Sequence, residues 1–272
     1  YLATGVGVLI LVTAVASWLA PRRLISPWWA TATLVWVCIQ GAFGALTVTM
    51  KLFPAIVTLH LMGGLVLLAL LCVQVVRFQQ VAGGTAGSAR QISVSGAMRG
   101  LLWVTFGVLI VQIALGGWVS TNYAVLACSD FPRCQGNWWP VMDFEHGFEL
   151  WRHLGFTGQG EHIGFAALTA IHFVHRLFAA VVLLLGAALA WRLNSTAGTR
   201  LQSRWLAALL GLQLATGLSN VVFDWPLLAA LLHTGGAAGL VLVLTWVACT
   251  MRSDRVRSPE RAGVQRVSGL SA

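Results

Sequence analysis

The chain has 272 residues, 58% of them hydrophobic and only 9% charged, where a soluble domain carries roughly a quarter charged residues. That composition excludes an ordinary soluble domain and makes lipid the main solvent. The net charge of +9 would suit nucleic acid, but the basic residues lie in short loops and a tail between apolar segments, as the positive-inside rule describes, so no nucleic-acid partner is expected.

Seven apolar segments follow in chain order, at about residues 2–20, 27–46, 54–76, 101–120, 165–191, 205–223 and 226–250. Each is near the ~20 residues that cross a bilayer as a helix. The expected fold class is an all-α integral membrane protein, a polytopic bundle of about seven transmembrane helices. Threading them alternately puts Arg22, Arg23, Arg77, Arg90, Arg99, Arg192, Arg200, Arg204 and the tail arginines from Arg252 to Arg266 on one side. Lys51, Arg133 and Arg152 fall on the other, and Arg176 lies within a span. The arginine-rich side reads as cytoplasm and carries the C-terminus, leaving Tyr1 and loop 121–164 outside.

Loop 121–164 is rich in aromatic residues with scattered acids, which suits a cap at the membrane interface. Segment 78–100 is rich in Gly, Ser and Gln and reads as a flexible connector, and 251–272 as a basic, disordered tail. Cys38, Cys72 and Cys249 sit inside apolar segments and read as small buried hydrophobes. Cys128 and Cys134 bracket "CSDFPRC" in the outer loop, where oxidising conditions permit a disulfide. Metal ligation is the alternative, although the spacing resembles no common zinc pattern.

An internal repeat organises the rest. "QGAFGALTVTMKLFPAIVTLHLMGG", from Gln40, and "QLATGLSNVVFDWPLLAALLHTGG", from Gln213, align at an offset of 173. The offset pairs Gln40 with Gln213, Gly44 with Gly217, His60 with His233 and Gly63 with Gly236. These read as the last helix pairs of two duplicated four-helix halves, related by an axis along the membrane normal. The halves are residues 1–77 and 101–250. Extending the alignment sets Leu177 opposite Tyr1, so a first helix and a partner histidine are expected to precede residue 1.

At a rise of ~1.5 Å per residue, His60 and His233 lie ~9–10 Å and His175 ~15 Å below the outer boundary. Intramembrane ionisable groups usually face a bundle interior or a ligand. A structural hydrogen-bonding role is the bland alternative for each histidine. Three at similar depth favour ligation of haem iron by imidazole, with His175 and His233 as a pair. Arg176 would meet a propionate, and Gly63, Gly64, Gly235 and Gly236 would let a macrocycle or a helix approach. His172, one turn from His175, is open between a propionate or water contact, an alternative axial position, an HxxH metal pair and an interfacial polar group. His146, His153 and His162 belong to the cap and receive no role.

"GALTVTMKLFPAIVTLHL", "LGGWVSTNYAVLACSDFPRCQGNWWPVMDF", "ALTAIHFVHRLFA" and "GLSNVVFDWPLLAALLHTGGA" together resemble haem A synthase in its proteobacterial form, over residues 1 to about 250. The resemblance implies eight transmembrane helices in two halves and oxidation of a methyl group of haem O to the formyl group of haem A. The product serves terminal cytochrome oxidase. It further implies that His175 and His233 hold haem b, that His60 is one ligand of the substrate haem, and that Cys128 and Cys134 form the outer-loop pair. Haem O synthase, cytochrome oxidase assembly factors and an unidentified electron donor are the implied partners, in the bacterial inner membrane with loop 121–164 periplasmic. The other first-half histidine would fall just before Tyr1, so residues 1–272 alone are expected not to catalyse. A b-type cytochrome membrane subunit and a repeat-built transporter are the alternatives.

Overall fold

The computed structural model describes residues 2–20, 26–82 and 91–253. Arg22, Arg23, Arg90, part of the connector and the tail beyond Ser253 lie outside the described residues. The helices are α1 (Leu2–Leu19), α2 (Pro27–Thr49), α3 (Pro54–Val81), α4 (Gly96–Thr121), α5 (Phe144–Gly147), α6 (Phe165–Ser195), α7 (Arg200–Val222) and α8 (Leu227–Thr250). All but the short α5 are long and apolar enough to cross a membrane, giving seven spans among the described residues. The protein is a multi-pass membrane protein.

Hydropathy places these helices well but shortens them at the arginine-rich end. There α3 runs on to Val81, α4 begins at Gly96, α6 reaches Ser195 and α7 begins at Arg200. The extra turns carry Arg77, Arg99, Arg192, Arg200 and Arg204. Helical hydrogen bonding continues through them because long arginine stems cover apolar surface while their heads reach water.

In the second half α6 packs on α4 and α7, α7 on α8, and α8 back on α4. In the first, α2 lies between α1 and α3, and α3 joins the halves by packing on α8 and α4. Leu102, Leu189, Leu193, Leu206, Leu240 and Leu244 are fully buried where these helices meet. Lipid is as apolar as these side chains, so close packing rather than escape from water holds them. Gly186 against Leu210 and Gly239 against Leu209 bring neighbouring helices near.

The two repeat hairpins share a turn as well as a sequence. Lys51 and Leu52 have φ of 51° and 60°, and Asp224 and Trp225, at the same offset, have 51° and 62°. Two successive non-glycine residues in the left-handed region cost roughly 1–2 kcal/mol each, so the shared strain marks common design. In each turn the last amide reaches back to a carbonyl, Leu52 to Thr47 (2.8 Å) and Trp225 to Asn220 (3.0 Å). His60 and His233 consequently occupy the same position along α3 and α8.

The connector is less loose than its composition suggests. β1 (Ile92–Val94) pairs in parallel with β2 (Met251–Ser253) and ties the start of α4 to the end of α8. Ile92 and Val94 alternate about Ser93, and Val94 is buried in the main core cluster. Ser95 then caps α4 by accepting from the Met98 amide.

At the other end, residues 122–164 fold into a cap. Arg152, expected as a loop charge, is 2% exposed. It donates to Asn122 Oδ1 (2.6 Å) and the Phe156 carbonyl (3.2 Å) and lies over Trp118. Trp118 in turn donates to the Gly147 carbonyl, so the cap is pinned to α4. Burial lowers the Arg152 pKa, opposed by nearby Glu149.

Candidate haem site

Each imidazole that the repeat and its neighbourhood single out stands against a glycine of an adjoining helix. A Cβ on Gly44 would lie 3.3 Å from His60 Cε1, one on Gly116 2.9 Å from His175 Cε1, and one on Gly217 3.4 Å from His233 Cε1. The glycines on α2, α4 and α7 thus supply the room in which the rings of α3, α6 and α8 sit. Gly63 and Gly236, expected to admit a macrocycle or helix, instead accommodate the amides of Gln40 and Gln213. Gly64 and Gly235 face open space. Gln213 also donates to the His233 carbonyl at 2.8 Å.

The ring nitrogens differ in their partners. Thr216 donates its hydroxyl hydrogen to the Leu212 carbonyl (2.7 Å), so its oxygen is free to accept Nδ1–H of His233 at 2.9 Å. That tautomer leaves the His233 lone pair on Nε2. His175 and His60 each have a buried Nδ1 without a hydrogen-bond partner, and Gln112 Nε2 approaches His175 Nε2 at 3.5 Å. An unpaired buried nitrogen costs about 1–3 kcal/mol.

Among the described residues no group of three or more His, Cys, Asp or Glu could hold a bare metal ion. Isolated imidazoles instead suit a metal whose other ligands come with it, as a porphyrin supplies. The donor set and the glycine cradles fit a haem.

The neighbouring face of α6 does different work. Cys128 and Cys134 form a disulfide, and both are fully buried. Arg176 donates to the carbonyls of Cys128 (2.5 Å), Asp130 (2.8 Å) and Arg133 (3.0 Å) and through Nε to His172 Nε2 (3.2 Å). Those bonds occupy four of the guanidinium's five N–H groups. His172 is 4% exposed, and the Cys128 amide approaches its Nδ1. Thr169, one turn earlier, accepts from Gln135. In "AIHFVHR", therefore, Arg176 grips the disulfide loop and donates to His172, while His175 turns towards Gly116 of α4.

The loop is braced from within as well. Asp130 accepts from the Gln135 and Gly136 amides. Its carboxyl is held below the usual carboxylate range, first by the Gly136 amide, with Gln135 and Arg176 adding. Of the cap histidines, His146 pairs with Asp143 at 2.6 Å, His153 meets Phe53 edge-on and His162 stacks on Phe156. None is brought to the intramembrane rings by these contacts.

Thr216, Gln112, Gly116 and Arg152 were not picked out by sequence as parts of the site or its cap. The signal for the glycines was present: Gly44 and Gly217 lie on the repeat frame with the histidines. Thr216 had no such mark, because its counterpart at the same offset is Phe43.

Duplicated hairpins, glycine-cradled imidazoles and seven spans among the described residues define an integral membrane protein that sets imidazoles between its helices. Residues 1–245 match the family model described as cytochrome oxidase assembly protein. The chain is 36% identical to the heme A synthase of Shewanella oneidensis over 263 residues, which is 91% of this chain and 73% of that protein. It is 26% identical to the heme A synthase of Halalkalibacterium halodurans over 235 residues, covering 84% and 69%. The chain belongs to the haem A synthase family.

Proposed function

We propose that this protein acts in haem A biosynthesis as a membrane-bound oxidoreductase, taking haem O to haem A by oxidation of a porphyrin methyl group to a formyl group. The observation that carries this reading is the matched pair of hairpins, each offering an imidazole against a glycine, in a chain of this family. His175 and His233 are the residues that would hold haem b, and His60 is one ligand of the substrate haem. When bound, haem b supplies an iron that carries electrons.

The chain's own residues bind, orient and shield. Thr216 keeps the His233 lone pair on Nε2. Gly44, Gly116 and Gly217 set the rings in place. Arg176 holds the disulfide loop at the outer end of α6 and donates to His172, and its remaining N–H is available to a propionate. The arginine-rich end faces the cytoplasm and the cap the periplasm of a bacterial inner membrane. The methyl-to-formyl change is an oxidation, so an external oxidant of the dioxygen class acts together with the separate electron donor, and haem O synthase and oxidase assembly factors are the neighbours in the pathway.

The test is the absorption spectrum, oxidised and reduced, of the detergent-purified protein beside His175→Ala, His233→Ala and His60→Ala. A bis-imidazole haem spectrum lost in the first two and kept in the third supports the reading. A folded wild-type protein that takes up no haem would end it.

A further inference from the structure

At the arginine-rich end, a cavity of about 750 Å³ lies where α2 and α3 stand against α4 and α8, on the seam between the halves. Its volume falls within the roughly 300–1,000 Å³ usual for ligand clefts. Ala69, Val73 and Phe106 give it an apolar wall, and Trp29 and Trp103 line it as well. Tryptophan favours the depth at which lipid headgroups begin.

Two polar groups on this wall could meet a headgroup. Arg77 is exposed and lies 5.1 Å over the Trp29 ring, but among the described residues no carboxylate pairs with it. The described acids, Asp130, Asp143, Glu145, Glu149, Glu161 and Asp224, all lie at the cap end. Thr245 is 6% exposed and its hydroxyl has no hydrogen-bond partner. The wall therefore joins a cation that no described carboxylate meets to a greasy trough.

We infer that this cavity binds an acidic phospholipid, its phosphate on Arg77 and an acyl chain along Ala69, Val73 and Phe106. Basic pockets between transmembrane helices suit anionic headgroups, and an arginine fork matches phosphate oxygens. The chain's own tail is a poor occupant by charge, since residues 252–272 hold five arginines against Asp254 and Glu260. A lipid seated here touches both halves and holds α2–α3 against α4–α8. The inference is independent of the haem reading.

Binding is measured by native mass spectrometry on the delipidated full chain, titrated with phosphatidylglycerol, with phosphatidylcholine of the same acyl chains, or with glycerol phosphate. The wild type should prefer phosphatidylglycerol, and Arg77→Gln should lose about fivefold in its affinity. Arg192→Gln, which removes a cation at the same end that does not line the cavity, should retain it. Equal retention of phosphatidylcholine by the wild type overturns the site without recourse to any variant. Equal loss in Arg192→Gln overturns the role of Arg77. Binding of glycerol phosphate as tight as that of the lipid overturns the acyl-chain trough. Phosphatidylglycerol that binds only after deletion of residues 254–272 would make the tail the native occupant.

Discussion

The hairpins α2–α3 and α7–α8 have the same turn, the same glutamine-on-glycine packing and the same glycine-on-imidazole contact. They part beside the ring. Thr216 accepts from His233 in the second, whereas Phe43 stands at that position in the first and His60 keeps a buried, unpartnered Nδ1. One ring is fixed in tautomer and orientation, and the other is fixed only by its surroundings. In the proposed function, the fixed ring belongs to the resident haem and the freer ring to the haem that must leave as product. Duplication supplied two similar cradles, and the side chains around each ring made them unequal.

The largest expected effect breaks the comparison outright. His175→Ala or His233→Ala should abolish the second-half haem spectrum, while His60→Ala leaves it intact. Equal loss in all three would show that the halves do not hold separate groups. Next come the glycines. Alanine at Gly116 sets a methyl 2.9 Å from His175 Cε1, so the ring must move, whereas at Gly217 the 3.4 Å separation is ordinary contact. Haem occupancy measured from the Soret band should fall severalfold in Gly116→Ala and stay near wild type in Gly217→Ala.

Thr216→Val sharpens the difference between the hairpins. Loss of a partner that orients a ligating histidine typically costs about tenfold or more in affinity. The variant should therefore surrender haem about tenfold faster to an apo-globin acceptor, and an unchanged rate would remove Thr216 from the site. Phe43→Thr should move the first hairpin towards the second and slow release there.

A smaller change is expected at the cap. Arg176→Met strips three carbonyls of their donor, at a cost on the order of 2 kcal/mol, and hydrogen exchange should rise at residues 128–135. If exchange there does not change, Arg176 does not hold the loop.

The smallest effect concerns pH. His146 is raised above the ordinary imidazole value by its bond to Asp143, and Asp143 is lowered, first by the same bond. The histidine's contribution is complete below the ordinary imidazole value and fades as pH rises through the raised one. The carboxylate's is complete above the ordinary carboxylate value and fades as pH falls through the lowered one. Local protection of α5 should thus peak in mildly acidic solution and decline on both sides. The His146 ring resonance followed by NMR should titrate above free imidazole.

Particular residues show what could be read in advance. The seven spans, the sorting of arginines and the His60–His233 match follow from hydropathy, charge and repetition, which are properties of the chain alone. Arg176 shows the limit. Its sequence neighbour His175 made a propionate the natural partner, but four of its N–H groups serve the disulfide loop and His172. Adjacent residues on a helix point about 100° apart, so adjacency does not decide who shares a partner. Arg152 likewise was placed by sequence only on the outer side, and the cap closes over it.

The sequence by itself determined how many times the chain crosses lipid, which end gathers the arginines, and that two hairpins are copies, because these depend on composition and order. The tertiary structure decided which glycine meets which ring, that Thr216 locks one imidazole, that β1 finds β2, and that a cavity lined by Arg77 opens on the seam. Each of those is a contact between segments far apart in the chain. Close packing selects such contacts through side-chain shape and direction, which no local pattern records.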